Sequence, residues 1–426
     1  MSQLSQQRPE SAGPGPAALR HNSRTVRVFA VVAGLCVSNL YYVIVLLPEI
    51  AASHHRPSRD FAHLLSLTQG GYTLGLLFVV PLGDRVDRRR LCTLLLAAAC
   101  LVCVAVPWAP ATAYPVLFVL LGLCSVTAMV LVPWGADLAD DAVRGRVVGA
   151  IMTGLILGTL LCRTVAGFLA QLVSWRFVYV TSAVLMALCA VALYWVRPSG
   201  AATNSAPCRP QDAQDDGYLR LLGSLPRILL RMPGVGERCL YGALGFGAFS
   251  AFWAVLPLHL QARPFSFGPA EIGLFALLGG AGVVGASAAG RLADRGLQTP
   301  TTLAAFATVV ATFLVLGAWP GSLTLLIVGT VVLDMGIQVA HITNQSVIYA
   351  GNSTMRSRIT TTYMVMYFVG GTLGSAVAAS VWGRGGSWRA TCLVGAGMGA
   401  CALVVAVLRA ALGRLRRMRE AADVRP

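Results

Sequence analysis

Apolar residues in this chain come in long unbroken runs, without the alternation of half-buried strands or the one-sided stripes of soluble helices. Twelve runs are long enough to cross a bilayer, at about 26–47, 61–82, 91–109, 113–134, 147–171, 176–196, 237–260, 269–289, 300–318, 322–348, 359–382 and 388–410. At ~1.5 Å per residue each spans most or all of a ~30 Å hydrocarbon core. The predicted fold class is an all-α membrane protein with twelve transmembrane helices in two six-helix repeats. Short polar segments separate the runs, except at 197–236, a stretch rich in Pro, Gly, Asp and Arg. That stretch reads as a linker with a short amphipathic helix around Tyr218 to Arg231. The expected organisation is a polar N-terminal tail (1–25) without a cleavable signal, a six-helix bundle (26–196), the linker (197–236), a second bundle (237–410) and a tail (411–426).

Polar positions inside the runs carry the candidate chemistry. The stretch Leu333 to Gln345 puts an acid and a histidine into a spanning helix. Counted from Leu323, Asp334 lies roughly 16 Å into the core, near its middle. Asp334, Gln338, His341 and Gln345 are spaced by four, three and four residues and share one helical face, with Leu333, Ile337, Val339 and Ile342 on the others. Ionisable residues at such depth usually face the bundle interior and mark substrate or proton paths. The plainer alternative is a hydrogen-bonded seam between helices. An acid and an imidazole about 10 Å apart along the axis are groups able to exchange protons if water reaches them. Arg163 is the other expensive residue, roughly 24 Å along the fifth run. It either snorkels outward or faces the interior, where it binds a polar substrate or holds a carboxylate such as Asp334.

Composition narrows the classes. Of 426 residues, 56% are hydrophobic and 12% charged, about half the charged fraction usual in soluble domains. The net charge of +16 is carried by arginines scattered between apolar runs, a membrane pattern and not a nucleic-acid domain. With both termini cytoplasmic, 26 arginines fall inside, six outside and Arg163 within the membrane, so the positive-inside rule sets that orientation. The chain has no lysine, which excludes a P-loop or Schiff-base lysine. Most of the eleven cysteines lie within apolar runs, and Cys100 and Cys103 form a CxxC without further ligands nearby, so neither a metal site nor any cofactor is expected.

The halves resemble each other. Leu47-Pro48 recurs as Leu256-Pro257, Asp84-Arg85 as Asp294-Arg295, Arg144-Gly-Arg146 as Arg356-Ser-Arg358, and Ser174-Trp175-Arg176 as Ser387-Trp388-Arg389. The offset drifts only from 209 to 213, which argues for a duplicated six-helix unit. Aligned this way, Asp334, Gln338 and His341 stand opposite Gly122, Val126 and Met129, so the polar face belongs to one half alone.

Two six-helix repeats, with acidic-basic turns after helices 2 and 8 and basic turns before helices 5 and 11, resemble the major facilitator superfamily of secondary transporters. Gly83-Asp84-Arg85-Val86-Asp87-Arg88-Arg89-Arg90 looks like its loop motif, and Gly290-Arg-Leu-Ala-Asp294-Arg295-Gly296 like a second copy. Asn39-Leu-Tyr41-Tyr42 with Leu46-Leu47-Pro48, Thr68-Gln69-Gly-Gly-Tyr72 and Gly158 through Gly167 are similar to the bacterial drug/proton-antiporter branch with its arabinose-type and purine-ribonucleoside-type efflux permeases. The resemblance implies alternating access in the bacterial cytoplasmic membrane. It also implies gating roles for Asp84, Arg85, Arg88, Arg89, Asp294, Arg295, Arg144, Arg146, Arg356 and Arg358, some of which also serve as topology-setting charge. Asp137, Asp140 and Asp141 are plausible partners for them.

The expected function is proton-coupled efflux of a small apolar or amphiphilic compound. Asp334, His341, Gln338, Gln345 and Arg163 would couple protons or bind substrate, and Asn39, Tyr42, Gln69, Tyr72, Trp253, Tyr363 and Tyr367 are candidate cavity walls. The expected partners are a small-molecule substrate, protons and the lipid bilayer, with no nucleic acid, and the expected state is a monomer. Proton-coupled uptake of a polar metabolite is the alternative; a membrane enzyme or non-transporting sensor has no supporting constellation.

Overall fold

The computed structural model describes residues 16–83, 85–139, 143–196, 223, 226–230, 232, 234–282, 285, 289, 292, 295–350 and 356–423. Regular structure among them is entirely helical. Six spans form the first half: α1 (Arg24–Ser53), α2 (Ser58–Leu82), α3 (Arg88–Trp108), α4 (Ala111–Asp137), α5 (Arg144–Leu172) and α6 (Trp175–Trp195). The second half comprises α7 (Val235–Gln261), a shorter α8 (Pro269–Ala281), α9 (Gln298–Ala318), α10 (Leu323–Ile348), α11 (Arg358–Gly383) and α12 (Trp388–Leu415). Eleven of these are long and apolar enough to cross a membrane, and the remainder of the eighth expected span lies largely outside the described residues. Of the expected linker helix, residues 226–230 are helical and the rest lies mostly outside them.

Helix pairing in the second half repeats that of the first. α1 packs on α5, α2 on α4 and α3 on α6; correspondingly α7 packs on α11, α8 on α10 and α9 on α12. Small residues make the α1–α5 and α7–α11 crossings close. A Cβ on Gly154 or Gly158 of α5 would collide with the carbonyls of Ala30 and Gly34, and one on Gly370 or Gly374 of α11 with those of Ala243 and Gly247. Both are GxxxG spacings, which in lipid let backbones touch where water would otherwise supply no drive for association. α1 and α7 are consequently enclosed more completely than the other spans.

Several spans depart from regular α-helix within their length. α1 turns more tightly at Asn39–Tyr41, where backbone N–H groups reach back three residues, as Tyr41 N does to Ser38 O at 3.0 Å. Beside it Ser38 Oγ takes up Gly34 O at 2.8 Å. α4, expected as one continuous helix, is interrupted at Val126, flanked by Ser125 and Thr127, whose hydroxyls bond Leu121 O and Cys124 O. Such local hydroxyl bonds compete with the helical ladder. α2 widens to a π-turn at Gly75–Val79, and α8 tightens to 3₁₀ turns at Ala276–Ala281, where consecutive glycines weaken helix propensity. Within the hydrocarbon region irregular backbone is tolerated where protein covers it.

The halves meet through α5 on α8, α2 on α11, and the second part of α1 (Tyr42–Ser53) on α7 and α8. At the α5–α8 contact Gly167 abuts Pro269 and Gly273, and Thr164 Oγ1 donates to Gly273 O at 2.8 Å.

Candidate functional site

α10 runs unbroken through its polar stripe and turns that stripe toward the rest of the bundle. Asp334 is 3% exposed. The indole N–H of Trp253, from α7, donates to Asp334 Oδ1 at 3.4 Å. The face of the same indole carries the Arg163 guanidinium, 4.4 Å from the ring centre, and Tyr41 of α1 covers the guanidinium from another side at 4.9 Å. Arg163 therefore does not snorkel outward; it is 4% exposed and sits where α1, α5, α7 and α8 adjoin α10. Its Nε has no hydrogen-bond partner. Cation–π contacts replace part of the lost hydration, and they leave one donor of a buried cation vacant beside a buried acid. That combination can exchange a proton or accept the polar group of a substrate.

Further along the stripe, Gln338 packs against Gly282, just past the end of α8. His341 Nδ1 lies 2.9 Å from the Tyr363 hydroxyl, and its ring contacts Tyr367 at 4.5 Å. Tyr367 in turn stacks on Phe246 at 4.1 Å. Gln345 is half-buried at the end of the stripe. Beyond it lies a polar cluster absent from the sequence-based candidates: Arg238 Nη1 donates to Thr302 Oγ1 at 3.1 Å and Asn344 Oδ1 at 3.3 Å. A crevice of about 430 Å³ opens on a different face of α10, between α9 and α10, lined by Thr308, Met335, Gly336 and Val339. None of the stripe residues lines it.

The remaining wall candidates separate. Trp253, Tyr363 and Tyr367 belong to the centre just described. Gln69 and Tyr72 lie instead in the seam between halves: Gln69 Nε2 donates to Ser250 Oγ and Gln69 Oε1 accepts from Ser375 Oγ, both at 3.1 Å. Tyr72 packs against Phe368 with ring centres 4.5 Å apart and planes tilted by 44°, and Thr73 faces Thr372 with hydroxyls 3.5 Å apart. Asn39 and Tyr42 point into their own half. Asn39 Oδ1 accepts from Ser182 Oγ at 2.6 Å, and Tyr42 meets Tyr179 edge-on. Of the paired tyrosines it is Tyr41, the preceding residue, that reaches the centre. The tightened turn at Asn39–Tyr41 sets which ring points where, and hydropathy carries no trace of it.

A model of the Major Facilitator Superfamily matches residues 29–375. The chain belongs to the major facilitator superfamily. It is similar to an "uncharacterized transporter" YgaY of Escherichia coli O157:H7, 40% identical over 373 residues that cover 87% of this chain and 91% of that one. It also resembles a "probable transporter" SCO4007 of Streptomyces coelicolor, 31% identical over 91% of this chain and 87% of that one. Among solved structures it shares its fold with the nucleoside transporter NupG (TM-score 0.71, 10% identity, 91% and 99% coverage). A bacterial homologue of the human lysosomal transporter Spinster shares it too (TM-score 0.62, 15% identity, 93% and 95% coverage). This major facilitator protein is thus a multi-pass membrane transporter of a small molecule and not an enzyme.

The superfamily's loop motif between α2 and α3 is described at residues 83 and 85–90, while Asp84 lies outside the described residues, as do Asp294, Asp140 and Asp141. Asp87 caps α3, its carboxylate accepting from Arg89 N at 2.9 Å and Arg90 N at 3.4 Å. An acid at a helix N-terminus satisfies orphan N–H groups and complements the dipole. Arg88 bonds Gly83 O at 3.0 Å and Asp137 at the end of α4, and Arg89 reaches Tyr194 O and the Tyr194 ring on α6. Arg144 Nε bonds Ala136 O at 3.2 Å. These ties stay within the first half, linking the ends of α2, α4 and α6 to the starts of α3 and α5. Arg146 and Arg295 are exposed, and Arg358 is half-buried on α11, at whose start Arg356 also falls.

Proposed function

We propose that this major facilitator protein is a proton-coupled exporter of a small, largely apolar or amphiphilic compound, of the kind handled by the drug/proton-antiporter branch. It resides as a monomer in the bacterial cytoplasmic membrane with both termini inside. Its halves, residues 26–196 and 237–410, rock about a midplane site. The observation that carries this reading is Asp334: a carboxylate buried at mid-depth, bonded to Trp253 and packed beside the incompletely satisfied Arg163 where the halves adjoin. Proton binding and release at such an acid changes the local charge at that junction, which is what coupling requires. Tyr41, Phe246, Trp253, Tyr363 and Tyr367 surround the polar stripe with rings, and apart from the acid–guanidinium pair few charges are at hand to hold a sugar or an acid. This favours amphiphilic cargo. The Asp87 cap and the Arg88–Asp137 tie would keep the first half rigid as it rocks.

The test is an accumulation and survival assay in an efflux-deficient bacterium with antibiotics, dyes and nucleosides, comparing the intact protein with Asp334→Asn, with and without a protonophore. Lower accumulation of a compound, abolished by the substitution and by the protonophore, is the expected result. Higher accumulation would convert the reading to import, and full gradient-driven transport by Asp334→Asn at normal expression would remove the acid from the mechanism.

A further inference from the structure

Three side chains from three helices converge on one bare backbone position of α8. An ideal Cβ placed on Gly279 would stand 2.7 Å from Asp334 Oδ2, 3.5 Å from Trp253 Cζ2 and 3.7 Å from Arg163 Nη1. The neighbouring glycines meet different surroundings. At Gly280 a Cβ would touch only the branch tips of Leu160 at 3.2 Å, which can yield, and at Gly282 it would press on Gln338 Cγ at 2.8 Å. Gly279 alone stands against the carboxylate. The other carboxylate oxygen is engaged by the Trp253 indole, so the acid has little room to swing away.

We propose that Gly279 is a positioning residue for proton exchange at Asp334: the missing side chain sets how closely the carboxylate, the Arg163 guanidinium and the Trp253 indole approach one another. This deepens the proton-coupling reading and rests on it. The physical ground is that the interaction of opposite charges in a poorly screened interior depends steeply on their separation and on the dipoles between them. A methyl wedged among the three groups must move at least one of them by several tenths of an ångström. The charged and titratable groups facing Asp334 are Arg163 of α5 and Tyr367 of α11, with His341 two turns away on its own helix; Tyr41 of α1 backs the guanidinium. α7 and α8 present Trp253 and Gly279, and α9 contains no ionisable residue.

The Trp253–Asp334 bond supplies a reporter that needs no substrate. Trp253 emission is measured across pH 5–9 in detergent-purified protein, each variant being read against its own Trp253→Phe counterpart. Asp334→Asn is expected to flatten the response, Gly279→Ala to move its midpoint by about 0.5 pH unit or more, and Gly280→Ala to leave it in place. A response that survives Asp334→Asn, or a Gly279→Ala midpoint equal to that of the intact protein, overturns the proposal. The second of these leaves proton coupling standing, whereas gradient-driven transport by Asp334→Asn sinks the coupling itself. If Gly279→Ala folds poorly, its thermal midpoint is compared in two backgrounds. The loss is expected with Asp334 present and absent in Asp334→Ala, where the clashing oxygen is gone. An equal loss in both backgrounds also overturns the proposal.

Discussion

Arg163 illustrates how one side chain ties the halves together. Its guanidinium lies over Tyr41 from its own half and Trp253 from the other, and it makes use of a flat, weakly hydrated cation that lysine cannot imitate. Arg163→Lys keeps the charge but loses the planar contacts, an expected cost of about 1–2 kcal/mol in thermal unfolding of the purified protein. Arg163→Gln is expected to cost more, since it also leaves Asp334 without a nearby countercharge. The depth of Asp334 and Arg163 along their helices was legible in the sequence, because position within an apolar run gives it; that Arg163 turns inward was not. Their meeting was one of the alternatives the sequence left open; packing decided it, because helices 5 and 10 are far apart in the chain and only the fold brings them together beside Gly279. The same limit explains why Tyr42 stood out and Tyr41 did not: adjacent residues in one apolar run differ only in azimuth.

At the scale of elements, glycine position decides helix crossings. Gly158→Ala in α5 and Gly374→Ala in α11 each push a methyl into a facing carbonyl, and each is expected to destabilise the protein by about 1–3 kcal/mol. Gly149→Ala, on the same α5 but with open space around it, is expected to be neutral or to gain up to ~1 kcal/mol from helix propensity. Thermal unfolding of the three variants distinguishes packing from propensity. The turn joining α1 to α2 carries a pH dependence of its own. His54 Nε2 lies 2.7 Å from the Tyr114 hydroxyl, and desolvation, then Arg176, Arg56 and His55, hold its imidazole below the ordinary histidine range. The neutral ring is the folded form, so its contribution to stability is complete above about pH 6.5. It is lost as pH falls from there toward the depressed value, because the unfolded chain takes up the proton first. His54→Gln is expected to remove that acid-side decline when unfolding midpoints are compared between pH 5 and pH 8.

For the whole molecule, the repeat of helix pairings and of GxxxG crossings gives two similar halves, and the contacts between them differ in kind. The α5–α8 contact is backbone on backbone, whereas α2 meets α7 and α11 through a ladder of side-chain hydrogen bonds, Gln69 with Ser250 and Ser375 and Thr73 with Thr372. Rocking requires such a ladder to give. A Thr73→Cys/Thr372→Cys pair stands where the two hydroxyls face each other, within plausible reach of a disulfide. Oxidation is expected to stop transport and reduction to restore it, read as accumulation before and after a reductant; undiminished transport by the cross-linked protein would show that this seam stays closed throughout the cycle.

The sequence by itself determined that the chain is a helical membrane protein, that it is a duplicated six-helix unit, and which few ionisable residues lie deep in the core. Each of these follows from local quantities: run length against bilayer thickness, residue spacing against helical period, and the recurrence of short motifs. Tertiary structure alone decided that Gln69 and Tyr72 form a seam between halves, that Asn39 and Tyr42 serve their own half, and that Gly279 lets an acid, an arginine and an indole share one point. Those outcomes depend on helix rotation and on sub-ångström backbone approach, which neighbouring helices impose and no local pattern encodes.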